Sequence, residues 1–107
     1  MKLPDSNLIK SDSDMKFLYE YDIKELFNPN KRSAKRFCYE TKLNLVLDMV
    51  DKVKRRENVI DIGCAQGNYT LSIAAKGIYS IGIDLRRSFI KYAKMKTEKM
   101  RRQMWIF

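Results

Sequence analysis

The eleven residues from Val59 to Tyr69, Val-Ile-Asp-Ile-Gly-Cys-Ala-Gln-Gly-Asn-Tyr, constrain the fold of this chain more than any others. Val59 to Ile62 is a short run rich in β-branched residues and predicts a strand. The run stops at Gly63, and a second glycine, Gly67, follows shortly after. From Tyr69 to Lys76, small and apolar residues predict a short helix that Gly77 closes. A strand that passes through a glycine-bearing turn straight into a helix is how a parallel α/β sheet builds a nucleotide site, outside the carboxyl ends of its strands. Glycine suits the turn because the backbone must bend sharply there and come close to a ligand. The free N–H groups at the start of the next helix face the same space.

The remaining pattern extends this unit. Ile78 to Asp84, with Ile81 and Ile83, predicts a second strand. Arg86 to about Arg101 predicts a second helix, with Phe89, Ile90, Ala93 and Met100 available for packing. Met104 to Phe107 has the character of a third strand. The order β-α-β-α-β predicts an α/β fold with a parallel sheet and right-handed crossovers. Upstream, residues 1 to 13 read as a loose leader. Asp14 is a candidate cap for a helix from Met15 to Phe27 that carries Phe17, Leu18, Tyr21 and Leu26. Asn28-Pro29-Asn30 marks a turn. Ser33 is the expected N-cap of a helix from about Ala34 to Lys54, whose stripe is Tyr39, Leu43, Val46, Leu47, Val50 and Val53. The chain therefore divides into a helical leader, residues 1–57, and a βα region, residues 58–107.

At 107 residues there is room for one domain. A doubly wound domain needs roughly 150 residues or more. Three strands ending in Trp105-Ile106-Phe107 thus suggest a truncated sheet, with a partner chain as one way to complete it. A compact miniature that is complete as it stands is the alternative. There is no long apolar run that would predict a membrane span or a signal peptide. Two isolated cysteines, Cys38 and Cys64, suggest no disulfide framework, so a cytoplasmic setting with reduced thiols is expected.

The formal charge is +9 and histidine is absent. Through Asn58 there are 13 basic and 10 acidic residues; after it there are 9 basic and 3 acidic. Most of the later excess lies between Arg86 and Arg102, so that helix is a candidate surface for nucleic acid or another anion. A solvated helix face is the simpler reading of that basic stretch, which includes Lys96; Lys91, Lys94 and Glu98 recur at the helical spacing of an exposed surface. No RNA-recognition signature with interleaved aromatics accompanies it.

Asp84 stands at the tip of the second strand, 21 residues after Gly63. A carboxylate there can accept two hydrogen bonds from a ribose diol, and the spacing suits one βαβ unit. A dinucleotide site would read G-x-G-x-x-G, but Ala65 and Asn68 occupy two of the three glycine places. Asp61, two residues before Gly63, is awkward beside a pyrophosphate. It suits a ligand with a cationic amine and a sulfonium.

The stretch from Val59 to Met95 resembles the first two motifs of class I S-adenosylmethionine-dependent methyltransferases. Asp61, Gly63 and Gly67 match the acidic-x-Gly-x-Gly-x-Gly motif, with Ala65 in place of the middle glycine. Asp84 matches the acidic residue that follows the second strand. Tyr69 fits the first crossover helix, and the helix before the motif resembles the family's lid-forming leading helix. The resemblance implies a Rossmann-like fold and S-adenosylmethionine as cofactor. It implies that Asp61 positions the methionine amino group, that Gly63, Cys64 and Ala65 line the amino-acid end, that Asp84 holds the ribose, and that Leu85 packs against adenine. It implies methyl transfer by in-line displacement, governed largely by positioning. The family's acceptor-binding and catalytic residues lie further along the sheet than Phe107, so neither the acceptor nor a catalytic residue is assigned.

Each residue also has a structural role open to it. Gly63 and Gly67 can form an ordinary turn, Asp61 can bond loop N–H groups, and Asp84 can cap the next helix. Cys64 has no histidine beside it and suits packing better than nucleophilic attack. No metal site is expected from two distant cysteines. The competing functions are a non-catalytic Rossmann-like interaction module, with nucleic acid as its candidate partner, and a nicotinamide-dependent oxidoreductase, which the glycine pattern disfavours.

Overall fold

A computed structural model describes residues 13–28, 33–53 and 58–101, with side chains through Glu98. The third expected strand, Met104 to Phe107, lies outside the described residues, as do Lys54, Arg55 and Arg56. The elements are α1 (Ser13–Tyr21), a π-helical continuation (Asp22–Leu26), α2 (Ala34–Lys52), β1 (Asn58–Ile62), α3 (Asn68–Ala74), β2 (Tyr79–Ile83) and α4 (Arg87–Arg101). Among the described residues the architecture is mixed α/β, with four α-helices and a two-stranded parallel sheet.

Local chemistry accounts for the boundaries. Ser33 caps α2 by accepting the Arg36 N–H at 3.1 Å, satisfying one of the helix's free donors. Gly77, at φ +82°, ends the turn that follows α3, and its N–H donates to the Ala74 carbonyl at 2.9 Å. Asp14 sits inside the first turn of α1 and not ahead of it. Its carboxylate accepts Ser88 Oγ at 3.1 Å, which ties α1 to the start of α4. The Phe27 N–H donates to the Asp22 carbonyl at 2.8 Å, the wider spacing of a π-turn.

The strands pair in register from Asn58 opposite Tyr79 to Ile62 opposite Ile83. Side chains alternate across the sheet. Val59, Asp61, Ser80 and Gly82 are half-buried, whereas Ile60, Ile62, Tyr79, Ile81 and Ile83 are exposed. Gly82 is required for packing. A Cβ there would meet Cys64 Sγ and Thr70 Oγ1, both at 2.9 Å.

The core joins α1 to α4. Met15, Leu18 and Tyr92 are buried together, with Tyr19, Phe89 and Met95 against them. Leu71, Ile73 and Ile78 are buried around α3. The expected stripe of α2 is only half covered. Tyr39, Leu43, Val46, Leu47 and Val50 are half-buried, and Val53 is exposed. Its periodicity predicts the helix correctly, but among the described residues no element lies across the stripe to bury it fully. Among the described residues no helix is long and apolar enough to cross a membrane.

Candidate functional site

The turn after β1 is shaped by three left-handed residues. Gly63 has φ +75°, Ala65 +47° and Gly67 +78°. Glycine adopts this region freely, whereas an alanine there costs roughly 1–2 kcal/mol. The turn is held at each step. The N–H groups of Gly63 and Cys64 both donate to the Ile83 carbonyl, at 2.8 and 3.0 Å, and Gly67 N–H donates to Cys64 O at 2.8 Å. Ala65 N–H donates to Asp84 Oδ2 at 2.9 Å. The conformation that a glycine would take for nothing is thus enforced on Ala65 by a charge-assisted bond from the neighbouring strand tip.

A cavity of about 330 Å³ opens over the turn. Asp61, Gly63, Cys64 and Ala65 line it, and so do Gln66, Asn68 and Tyr69. Tyr21, Leu26 and Tyr39 form the opposite wall. A Cβ on Gly63 would meet nothing within 4 Å, so a ligand has open access to the backbone there. Asp61 accepts Thr70 Oγ1 at 2.7 Å, which fixes one carboxylate oxygen. Tyr39 and Tyr69 are neighbours, with ring centroids 5.8 Å apart. Burial and the Asp61 charge raise the Tyr69 phenol, and burial above all raises that of Tyr39. Burial, with Asp61 and Asp84 nearby, also raises the Cys64 thiol, so Cys64 is no activated nucleophile.

Three expected residues stand elsewhere. Gly67 faces α4, where a Cβ would come within 3.0 Å of Ala93 Cβ, so its freedom serves close packing as well as the turn. Asp84 does not line the cavity. Its oxygens accept Arg86 N–H and Ala65 N–H, each at 2.9 Å, and these bonds hold its carboxyl below the usual carboxylate range. Asp84 therefore serves both as the turn's brace and as the structural lead-in to α4. Leu85 is fully exposed.

The residues that sequence reasoning missed lie behind the turn. Asp22 and Lys96 are both 0% exposed and form an ion pair, Lys96 Nζ to Asp22 Oδ2 at 3.2 Å. Asp22 Oδ2 also accepts Tyr92 OH at 2.8 Å, and Oδ1 accepts Gln66 Nε2 at 3.3 Å and Asn68 Nδ2 at 3.2 Å. Lys96 Nζ donates to Asn68 Oδ1 at 2.6 Å and lies 4.8 Å from the Tyr92 ring centre. Burial pushes the Lys96 ammonium down to about 8, against the pull of Asp22, and pushes the Tyr92 phenol up. Lys96 thus leaves the solvated face to which its basic neighbours assign it; Arg86, Arg87, Lys91 and Lys94 remain exposed. The sequence does hold a signal. Asp22 stands between Leu18 and Leu26 at four-residue spacing, and Lys96 stands four after Tyr92, so each charge occupies an apolar stripe.

No family model matches the chain. Two curated proteins of Escherichia coli, both described as the O-antigen chain terminator bifunctional methyltransferase/kinase WbdD, are each 36% identical to it over 70 residues, which is 62% of this chain and 10% of the relative. A solved co-crystal structure of WbdD and a kinase inhibitor is similar with a TM-score of 0.53 at 34% identity, covering 56% of this chain and 15% of that one. The chain spans about a tenth of the length of the curated relatives it matches. It is homologous to WbdD over this stretch.

Proposed function

We propose that this chain carries the S-adenosylmethionine-binding portion of a class I methyltransferase with a Rossmann-like fold. In this reading residues 58–107 belong to the cofactor domain and residues 1–57 to its helical leader. WbdD is described as both methyltransferase and kinase, and the turn's chemistry favours the first. The observation that carries the reading is the strand–turn–helix at residues 58–74, with left-handed backbone at Gly63, Ala65 and Gly67, Asp61 on β1 and Asp84 just past the end of β2.

The residues present fit the cofactor. The cavity is of the size that small-ligand pockets occupy. Gly63 leaves the backbone open to close approach, and Asp61 offers negative charge at the cavity wall. In this reading Asp61, Gly63, Cys64 and Ala65 hold the amino-acid end. Asp84 keeps lone pairs beyond its two backbone bonds for a ribose, and exposed Leu85 is free to cover adenine. The cofactor supplies an electrophilic methyl group on sulfur. The chain's own part is to bind and orient. A cytoplasmic setting goes with this reading.

Calorimetric titration of the chain with S-adenosylhomocysteine tests it. Saturable binding that Gly63→Val abolishes and that NAD does not compete for supports the assignment. Binding of NAD in preference, or no binding even when the chain is lengthened, rejects it.

A second reading rests on exposed Arg86, Arg87, Lys91 and Lys94 on and before α4. It makes the chain a non-catalytic module that binds nucleic acid. Affinity for a short duplex that falls steeply with salt supports it, and salt-independent or absent binding rejects it.

A further inference from the structure

We infer that Asp22 and Lys96 are positioning residues for the cofactor turn: a buried charged latch that makes docking of α1 and ordering of the turn one event. The inference rests on the cofactor reading for its functional meaning, but the latch itself stands on geometry. Gln66 and Asn68 flank Gly67 and line the cavity, and both donate to one carboxylate oxygen of Asp22. That carboxylate comes from the π-helical stretch that continues α1. Its other oxygen takes Tyr92 and Lys96 from α4, and Lys96 closes the ring through Asn68.

All four acceptor positions of the Asp22 carboxylate are therefore filled. A four-bonded buried carboxylate has one low-energy arrangement, and so do the groups around it. The two ends of the turn are thus held by different carboxylates. Asp84 fixes Ala65 from the sheet, and Asp22 fixes residues 66 and 68 from the helices. Asp22 does not line the cavity, so it acts through the turn. Because Tyr92 also packs on Met15 and Leu18, the latch extends to a part of α1 that does not line the cavity. By linkage, a ligand that orders the turn also strengthens docking of that helix.

Asp22→Leu, Tyr92→Phe and Lys96→Met together replace the latch by apolar groups and leave no orphaned charge, so the full chain is expected to keep its fold. Amide exchange of Cys64 to Asn68 is expected to speed up at least tenfold, with β1 and β2 unchanged. Affinity for S-adenosylhomocysteine is expected to fall at least tenfold. In the wild type this ligand should protect Met15 to Leu18, and in the triple variant it should not. Asp22→Asn with Lys96→Met, which retains an acceptor for residues 66 and 68 and leaves no orphaned charge, should fall between the two. A folded triple variant with wild-type exchange at residues 64–68 overturns the latch. If the triple variant does not fold, this double variant decides: faster exchange confined to the turn supports the latch, and uniform or no change overturns it. If the wild type itself binds no S-adenosylhomocysteine, the cofactor reading fails, and the exchange arm still judges the latch.

Discussion

The knot behind the turn and the outer face of the sheet invert the usual distribution of side chains in opposite ways. Inside, an aspartate and a lysine are both fully buried. Outside, Ile60 and Ile62 lie in register with Ile81 and Ile83, all exposed, Ile62 to 83%. The knot is complete: among the described residues no buried side-chain polar atom lacks a partner. The sheet face has no described partner, although parallel sheets ordinarily carry a layer on each side. The lesson is that burial of charge marks where this structure is specified in detail. Apolar character alone marks only where it is not.

The sharpest way to break that contrast is Lys96→Met. It leaves the Asp22 charge buried without its cation, and loss of about 3–5 kcal/mol is expected. Urea unfolding measures it. The triple apolar variant should lose less, because it removes both charges and leaves only the Gln66 and Asn68 amides short of partners. A Lys96→Met protein as stable as the wild type would show that the pair is not closed to water.

Next in size is a pH effect. The folded-state value of Lys96 is lowered to about 8 from 10.5, so between those values the unfolded chain holds more protons. Stability should therefore rise with pH above about 8, by at most about 1.4 kcal/mol per pH unit. Tyr92 and Tyr39 act with the opposite sign. Their phenols are raised, so their contribution is present below pH 10 and is lost as the pH climbs further. The expected profile is a rise from pH 8 and a fall beyond 10. The rise should vanish in Lys96→Met, and its persistence there would assign it to another group.

Ala65 allows a smaller test at the cavity. Its left-handed backbone is held by Asp84, so Ala65→Gly should relieve strain and stabilise the chain by about 1 kcal/mol. Asp84→Ala in the wild type should loosen the turn more than in the Ala65→Gly background. Equal effects in both would mean that the bond from Asp84 does not enforce the conformation.

How much of this was legible in the sequence depends on the range of the forces involved. The first two strands, the turn, the Ser33 cap and the stop at Gly77 follow from local chemistry, and the structure has them within a residue or two of their expected limits. Asp61, Gly63, Cys64 and Ala65 come together because one turn contains them. The latch was not legible, since Asp22 and Lys96 stand 74 positions apart and a lysine in a basic run looks solvated. Only its place on the stripe of Tyr92 set it apart. The need for glycine at Gly82 was not legible either, because it comes from Cys64 in the turn and Thr70 on α3. The stripe of α2 erred the other way: periodicity states which face is apolar, but not whether anything covers it.

The smallest expected effect completes the comparison. Ile62→Thr deletes apolar surface that is already in water, keeps a β-branched side chain in the strand, and leaves the pairing with Ile83 intact. The change should stay within about 0.5 kcal/mol, the range of surface substitutions. The same measurement that finds several kcal/mol at Lys96 should thus find almost nothing at a large exposed isoleucine. If Ile62→Thr instead costs more than about 1 kcal/mol, the residue is losing burial. The outer face would then be covered in solution, and repeating the titration across a range of protein concentrations would tell whether a second copy covers it. A cost that grows with concentration identifies self-association, and a constant cost places the cover within the chain itself.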